Sequence, residues 1–211
     1  RATDIDLLVV YTQDLEHDYG SFDGVEALVR ASVESSNQSF ENSGIDLELR
    51  LVGLRKVDYT EDPLDMGLDL DYLRGSGTIR NWRNEVGADL VYLFRNDNYG
   101  IDHVGQAWQL DRVGGSPSYG YGVLSGQYAL SDLVLQHEVG HNLGAAHDPD
   151  NTDRHGLFSY SYGHRFTAFS STYRSVMAYA PGYEVNYFSG PEVKYEGTAT
   201  GTAQRDNART L

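Results

Sequence analysis

His137-Glu138-Val139-Gly140-His141-Asn142-Leu143-Gly144-Ala145-Ala146-His147-Asp148 is the stretch that decides how this chain is read. On a helix, residues four apart share one face, so His137 and His141 aim ring nitrogens at a common point. Glu138, turned by about 100° from His137, reaches the same space without having to be a ligand, which suits a general base. Gly144 lets the backbone take a positive φ and leave the helix. Three residues later His147 brings a third nitrogen. Three imidazoles leave one tetrahedral position of a Zn²⁺ ion open, the arrangement of a catalytic rather than a structural site. A helix with incidental histidines is the bland alternative, and it does not account for five fixed positions falling together.

Written as HExxHxxGxxH, and followed by Ser175-Val176-Met177-Ala178-Tyr179, the pattern resembles the signature and methionine turn of the metzincin metalloproteases. Asp148 after the third histidine is similar to the adamalysin or reprolysin branch. That branch usually carries cysteines, and this chain has none. Tyr179, two residues past Met177, resembles the astacin and serralysin pattern instead. The resemblance implies an α+β (mixed α/β) fold: a twisted, mostly parallel sheet of about five strands with an antiparallel edge strand, packed helices, an active-site helix and a small irregular C-terminal lobe. It implies Zn²⁺ on His137, His141 and His147, Glu138 as general base, and Met177 as a hydrophobic floor beneath the rings, a role suited to an adaptable thioether. Asp148 is expected to be buried and to accept backbone hydrogen bonds near the methionine turn, supporting the site together with Gly144 and Met177. Tyr179 has two readings, an oxyanion-stabilising or fifth-ligand phenol and an ordinary buried tyrosine.

The implied activity is endoproteolysis of extended protein or peptide substrates. An edge strand offers free amide and carbonyl groups to such a chain, and it is expected at Gly105 to Leu110, with Gly105, Gln106, Ala107 and Trp108 touching substrate. Ala180, Pro181, Gly182 and Tyr183 are expected to form one pocket wall, and Arg165 or Arg174 would favour an acidic substrate residue where either reaches that pocket. The competing class is a noncatalytic zinc-containing binding or adhesion module, against which the retained Glu138 argues.

Composition narrows the rest. The 211 residues carry 16 basic and 31 acidic side chains, a formal charge of −15, which disfavours nucleic acid and anionic membranes. No run of about 18 apolar residues predicts a membrane span. Zero cysteines neither require nor exclude an oxidising compartment. Ca²⁺ has no clear loop motif, and Asp148, Asp150 and Asp153 are its most concentrated candidates. His17, His103, His155 and His164 stand at no ligand spacing and are expected at the surface or in hydrogen bonds. By resemblance the chain reads as a processed, secreted, monomeric domain, made with an inhibitory propeptide. It is expected to be one catalytic domain, residues 1–211, with an N-terminal lobe of about 1–146 and a C-terminal lobe of about 147–211.

Alternation and periodicity predict a central strand over Asp4–Thr12, a helix over Asp23–Asn42 stopped by Gly44, and a half-buried strand over Ile45–Val57. A helix is predicted within Leu68–Val86 and a buried strand over Ala88–Phe94, then a glycine-rich looping region from Tyr99 to Ser125 with a short strand at Tyr121–Ser125. Ser131 or Asp132 is the predicted N-cap of the histidine helix, which should end near Gly144. Beyond it the chain is expected to be mostly loop, apart from a helical tail in Asp206–Leu211.

Overall fold

Strand β1 (Thr3–Tyr11) sets the architecture, because Leu7, Leu8, Val9 and Val10 are all fully buried and so demand cover on both faces. The computed structural model describes residues 2–96, 103–152 and 154–211. In it, α1 (Gln13–Asp18), α2 (Phe22–Asn42), β2 (Leu47–Lys56), α3 (Met66–Gly75), α4 (Gly77–Val86) and β3 (Leu90–Arg95) follow in order. Then come β4 (Gly105–Ala107), β5 (Tyr121–Ser125) and α5 (Val134–Asn142). The five strands form one sheet in the order β2-β1-β3-β5-β4, parallel except for the antiparallel β4 at the edge.

The pleat divides the strand residues between two cores. Leu7, Val9, Tyr92 and Phe94 pack with α2 and α5, while Leu8, Val10, Val91 and Leu93 pack with α3 and α4. Full burial of each such side chain contributes about 1.5–3 kcal/mol, which is why the near-continuous apolar runs become the inner strands and the alternating β2 lies at the edge. Gly44, with φ 65°, follows the Ser43 cap of α2 and turns the chain into β2.

The predicted helix within Leu68–Val86 is two helices. Ser76 is extended (ψ 120°) between Gly75 and Gly77, and its hydroxyl accepts from the amide of Ile79 to start α4. The region beyond α5 also differs from a loop. It holds the three-stranded sheet β6 (Arg165–Ala168), β7 (Ser171–Arg174) and β8 (Tyr183–Glu184), the hairpin β9 (Lys194–Tyr195) and β10 (Thr198–Ala199), and the terminal α6 (Asn207–Thr210). The β6–β7 turn places Phe169 (φ 48°) and Ser170 (φ 65°) in the left-handed region. Such a hairpin turn usually announces itself by Asn or Gly, so the sequence carried no signal for it. Val176, Met177 and Phe188 join the core shared by α2 and α5, with Ala208 and Leu211 packed against it. No helix among the described residues is long and apolar enough to cross a membrane.

Candidate metal centre

Helix α5 carries the first half of the site and ends by a mechanism readable from its sequence. Gly144, at φ 101°, follows the Leu143 cap, its amide donates to the His141 carbonyl, and the Ala145 amide donates to the Gly140 carbonyl. This paired closure satisfies the last carbonyls of the helix and swings the chain back so that His147 faces His137 and His141. The start of α5 departs from expectation. Its cap is Leu133, in a left-handed conformation (φ 46°) with no side-chain capping bond, while the hydroxyl of Ser131 is occupied by Asp132 at 2.6 Å. The preceding turn, in which the Asp132 amide donates to the Tyr128 carbonyl, leaves Asp132 one residue and Ser131 two residues short of the cap.

The three imidazoles converge. Nε2 of His147 lies 3.1 Å from Nε2 of His137 and 2.9 Å from Nε2 of His141. Nδ1 of His137 faces the Val176 carbonyl at 2.8 Å and Nδ1 of His141 faces the Ala145 carbonyl at 3.0 Å. A carbonyl only accepts, so each Nδ1 carries the proton and each Nε2 turns a lone pair inward. Burial lowers all three, repulsion from neighbouring rings adds to the fall at His137 and His141, and His137 is taken down to about 3. Lone pairs gathered this closely around one point fit a shared cation, and carbonyls orienting the outer nitrogens are the usual support of metal-bound histidine. Among the described residues this is the one group with metal-ligand geometry.

Glu138 sits behind the rings. It is buried, its Oε2 has no hydrogen-bond partner among the described residues, and burial pushes its carboxyl up to about 8. Gly105 lets the edge strand pass directly over it: a Cβ there would stand 2.5 Å from Glu138 Oε1 and 2.6 Å from Val134 Cγ1. Met177 is fully buried, its sulfur 2.6 Å from where a Cβ on Gly140 would lie. Asp148 is buried, with Oδ2 accepting from the Tyr179 amide at 2.9 Å and Oδ1 accepting from Arg165 Nη2 at 2.9 Å. Asp150 also pairs with Arg165, so these two calcium candidates are turned to a guanidinium, and Asp153 lies outside the described residues. The Tyr179 ring is 4.3 Å from that of His147 and 6.1 Å from that of His137. Burial raises its phenol above the usual range and keeps it a donor.

A cavity of about 450 Å³ opens on the triad, lined by Gly105, Gln106, Ala107, Tyr179 and Glu138 among others. Trp108 is not part of it. Its ring stacks edge-on to Tyr119 at 5.3 Å and lines a separate cavity, while Gln109 borders both. A smaller cavity of about 260 Å³ adjoins Glu138 and His137 and is lined by Ala180, Arg174, Glu184 and Asp132. The expected wall of Ala180 to Tyr183 is therefore corrected. Pro181 is absent from its lining, Gly182 and Tyr183 border a shallow surface dent, and strand alternation in β8 turns Tyr183 out and Glu184 in. Arg165 does not reach this cavity and Arg174 does.

Several contributors had no local signal. His103, expected at the surface or in a hydrogen bond, is exposed and borders both the cavity on the triad and the smaller one. Asn142 of α5 donates to the carbonyls of Trp108 (2.8 Å) and Tyr121 (3.2 Å) and accepts from Tyr92 OH (2.7 Å), tying the helix to β5 and the edge segment. His164 accepts from Arg205 at 3.0 Å and His155 meets Tyr162 OH at 3.2 Å, both away from the triad.

Residues 1–189 match the family described as Reprolysin_5, metallo-peptidase family M12. A peptidyl-Asp metalloendopeptidase of Stenotrophomonas maltophilia is 31% identical over 218 residues, covering 98% of this chain and 50% of that protein. Proteins of the same name from Xanthomonas campestris pv. campestris (29% identical, 98% and 49% covered) and Pseudomonas aeruginosa (25% identical, 90% and 35% covered) are also similar. The chain spans about half the length, or less, of these curated relatives. A solved structure titled "Structure of a chaperone-substrate complex" shares the fold, with a TM-score of 0.76 at 22% identity over 99% of this chain and 34% of that one.

Proposed function

The chain belongs to metallopeptidase family M12, and from that we propose that it is a zinc endopeptidase cutting internal peptide bonds of extended substrates beside aspartate. The aspartate is taken from the names of its relatives. The metal is read as Zn²⁺ because three neutral imidazoles with a fourth position free for reactants is a zinc donor set. Zn²⁺ supplies a Lewis acid that acidifies a water molecule and polarises the scissile carbonyl.

The residues of the chain do the remainder. The edge segment β4 pairs with the substrate backbone as an added strand. Glu138 accepts the proton of the attacking water and returns it to the leaving amine. Tyr179 donates its phenolic hydrogen to the developing oxyanion. Asp148, holding the Tyr179 amide, ties that phenol to the third histidine. The observation that carries this reading is the buried Oε2 of Glu138 beside the triad, without a hydrogen-bond partner among the described residues. A noncatalytic module gives no reason to keep a carboxylate at that cost.

Residues 1–211 are read as a single catalytic domain, supported by a core cluster that takes buried side chains from Ile5 to Phe188 and has Ala208 and Leu211 packed against it. Secretion, an inhibitory propeptide and a monomeric state are proposed by family resemblance, and because a free endoprotease would endanger the cytoplasm. The central test is hydrolysis of an Asp-containing fluorogenic peptide. The metal-loaded protein is expected to cleave it, to stop after removal of metal by a chelator, and to recover with added Zn²⁺. Activity unaffected by complete metal removal would overturn the proposal.

A further inference from the structure

We propose that Arg174 is the specificity-determining residue that reads the acidic substrate side chain, and that Glu184 is the built-in carboxylate it must share with that side chain. The inference rests on the protease reading and adds the recognition element to it. The small cavity beside Glu138 and His137 has Arg174 as the permanent cation among its described lining residues, where every other charged group is acidic or imidazole. A substrate residue next to the scissile bond enters here, because the cavity borders the proposed base itself.

Arg174 is held ready. Its Nε donates to the Gly182 carbonyl at 3.3 Å, and Nη1 donates to the Ala178 carbonyl at 2.9 Å and to Glu184 Oε1 at 2.7 Å. Nη2 has no hydrogen-bonding partner among the described residues. A fixed guanidinium with an open donor edge is suited to a carboxylate, with little rotamer entropy left to lose. Both partners of the Arg174–Glu184 pair are largely withdrawn from water, with side chains 20% and 13% exposed, so the field is weakly screened. Arg174 therefore recognises an aspartate carboxylate rather than its neutral isostere.

Glu184 sets the limit on this recognition. Its carboxyl is pushed up to about 7, by burial first, with Asp132 adding to the rise and Arg174 opposing it. Besides Arg174, the other titratable groups bordering the cavity around it are Asp132, Glu138, His103, His137 and Tyr179. When Glu184 is ionised it competes with the incoming acid for Arg174. When it is protonated it no longer repels that acid.

The test measures kcat/KM on peptide pairs that differ only in Asp or Asn beside the scissile bond, at pH 8. Wild type is expected to prefer Asp, and Arg174→Gln to lower the Asp/Asn ratio by about 10- to 100-fold, the worth of a charge-assisted hydrogen bond. A purely structural arginine would lower both rates and leave the ratio in place. Glu184→Gln, nearly isosteric, is expected to raise the ratio, and it answers the question if Arg174→Gln does not fold. A wild type indifferent to Asp, an unchanged ratio in Arg174→Gln, or an unchanged or lowered ratio in Glu184→Gln would overturn the assignment and leave the protease reading standing. A metal-loaded wild type that cleaves no peptide would instead sink the protease reading and this inference with it.

Discussion

Helix α5 places His137, Glu138 and His141 within five residues of sequence, whereas the smaller cavity beside them takes Arg174, Ala180, Glu184 and Asp132 from two strands and two turns. Within α5 the geometry follows from helical periodicity and one closing glycine. Across the cavity it follows from how β7, the turn after Met177 and β8 happen to pack. Locally encoded groups are fixed by backbone hydrogen bonding, so their spacing is readable. Groups gathered from separate elements depend on long-range packing, and so does whatever specificity they confer. The chemistry is expected to break cleanly on the helix side, while the other side should fail in degrees.

The sharpest break is Glu138→Gln. It is expected to keep metal and fold but lose about 10²–10⁴-fold in kcat, the usual worth of a general base, with metal content measured beside peptide hydrolysis. Retention of near-full activity would show that the buried carboxylate is packing rather than chemistry. Asp148→Asn comes next, since it weakens the Arg165 pairing and the brace between His147 and the Tyr179 amide. Metal affinity is expected to fall by about 10- to 100-fold, as for losses of ligand-supporting contacts, and competition with a chromogenic chelator reads it.

Gly105→Ala probes the place where the two regions meet. The added Cβ must displace Glu138 or Val134, and overpacking of this kind costs about 1–3 kcal/mol. A lower Tm together with a lower kcat is expected, and unchanged values of both would mean the edge segment gives way freely. The smallest effect belongs to Glu184. Its carboxyl is held at about 7 in the folded protein, above its ordinary 4.5, so the folded state binds that proton more tightly. Its contribution to stability is fully present below about pH 4.5 and is lost as pH rises through about 7. Relative to Glu184→Gln, wild type should therefore lose on the order of 1 kcal/mol across this window, a Tm difference of about 2–4 °C. Parallel Tm curves for the two proteins between pH 5 and 8 would remove the effect.

Legibility tracked the range of the determining interactions. The buried runs around Leu7–Val10 and Leu90–Phe94 announced the sheet because two covered faces require continuous apolar sequence. The break at Ser76 was hidden by helix-compatible residues on both sides. At the start of α5 the left-handed Leu133 runs against local preference and is imposed by the turn before it, so neighbouring Ser131 and Asp132 look like better caps than the residue that serves. The strands after Gly163 carry no local signal, because the β6–β7 turn uses Phe169 and Ser170 and the aromatic cluster of Phe166, Tyr173 and Tyr195 has no simple period.

The order of residues is enough to announce the clustering of His137, His141 and His147, the carboxylate of Glu138 beside them and the mostly parallel sheet, since each depends on spacing along a helix or strand that any fold must respect. Tertiary structure alone decided that Arg174 rather than Arg165 reaches the cavity, that Glu184 faces in while Tyr183 faces out, and that Gly105 lets the edge strand pass over Glu138. Those outcomes depend on which surfaces meet. That is settled by the joint burial of distant side chains and leaves no mark in the order of neighbouring residues.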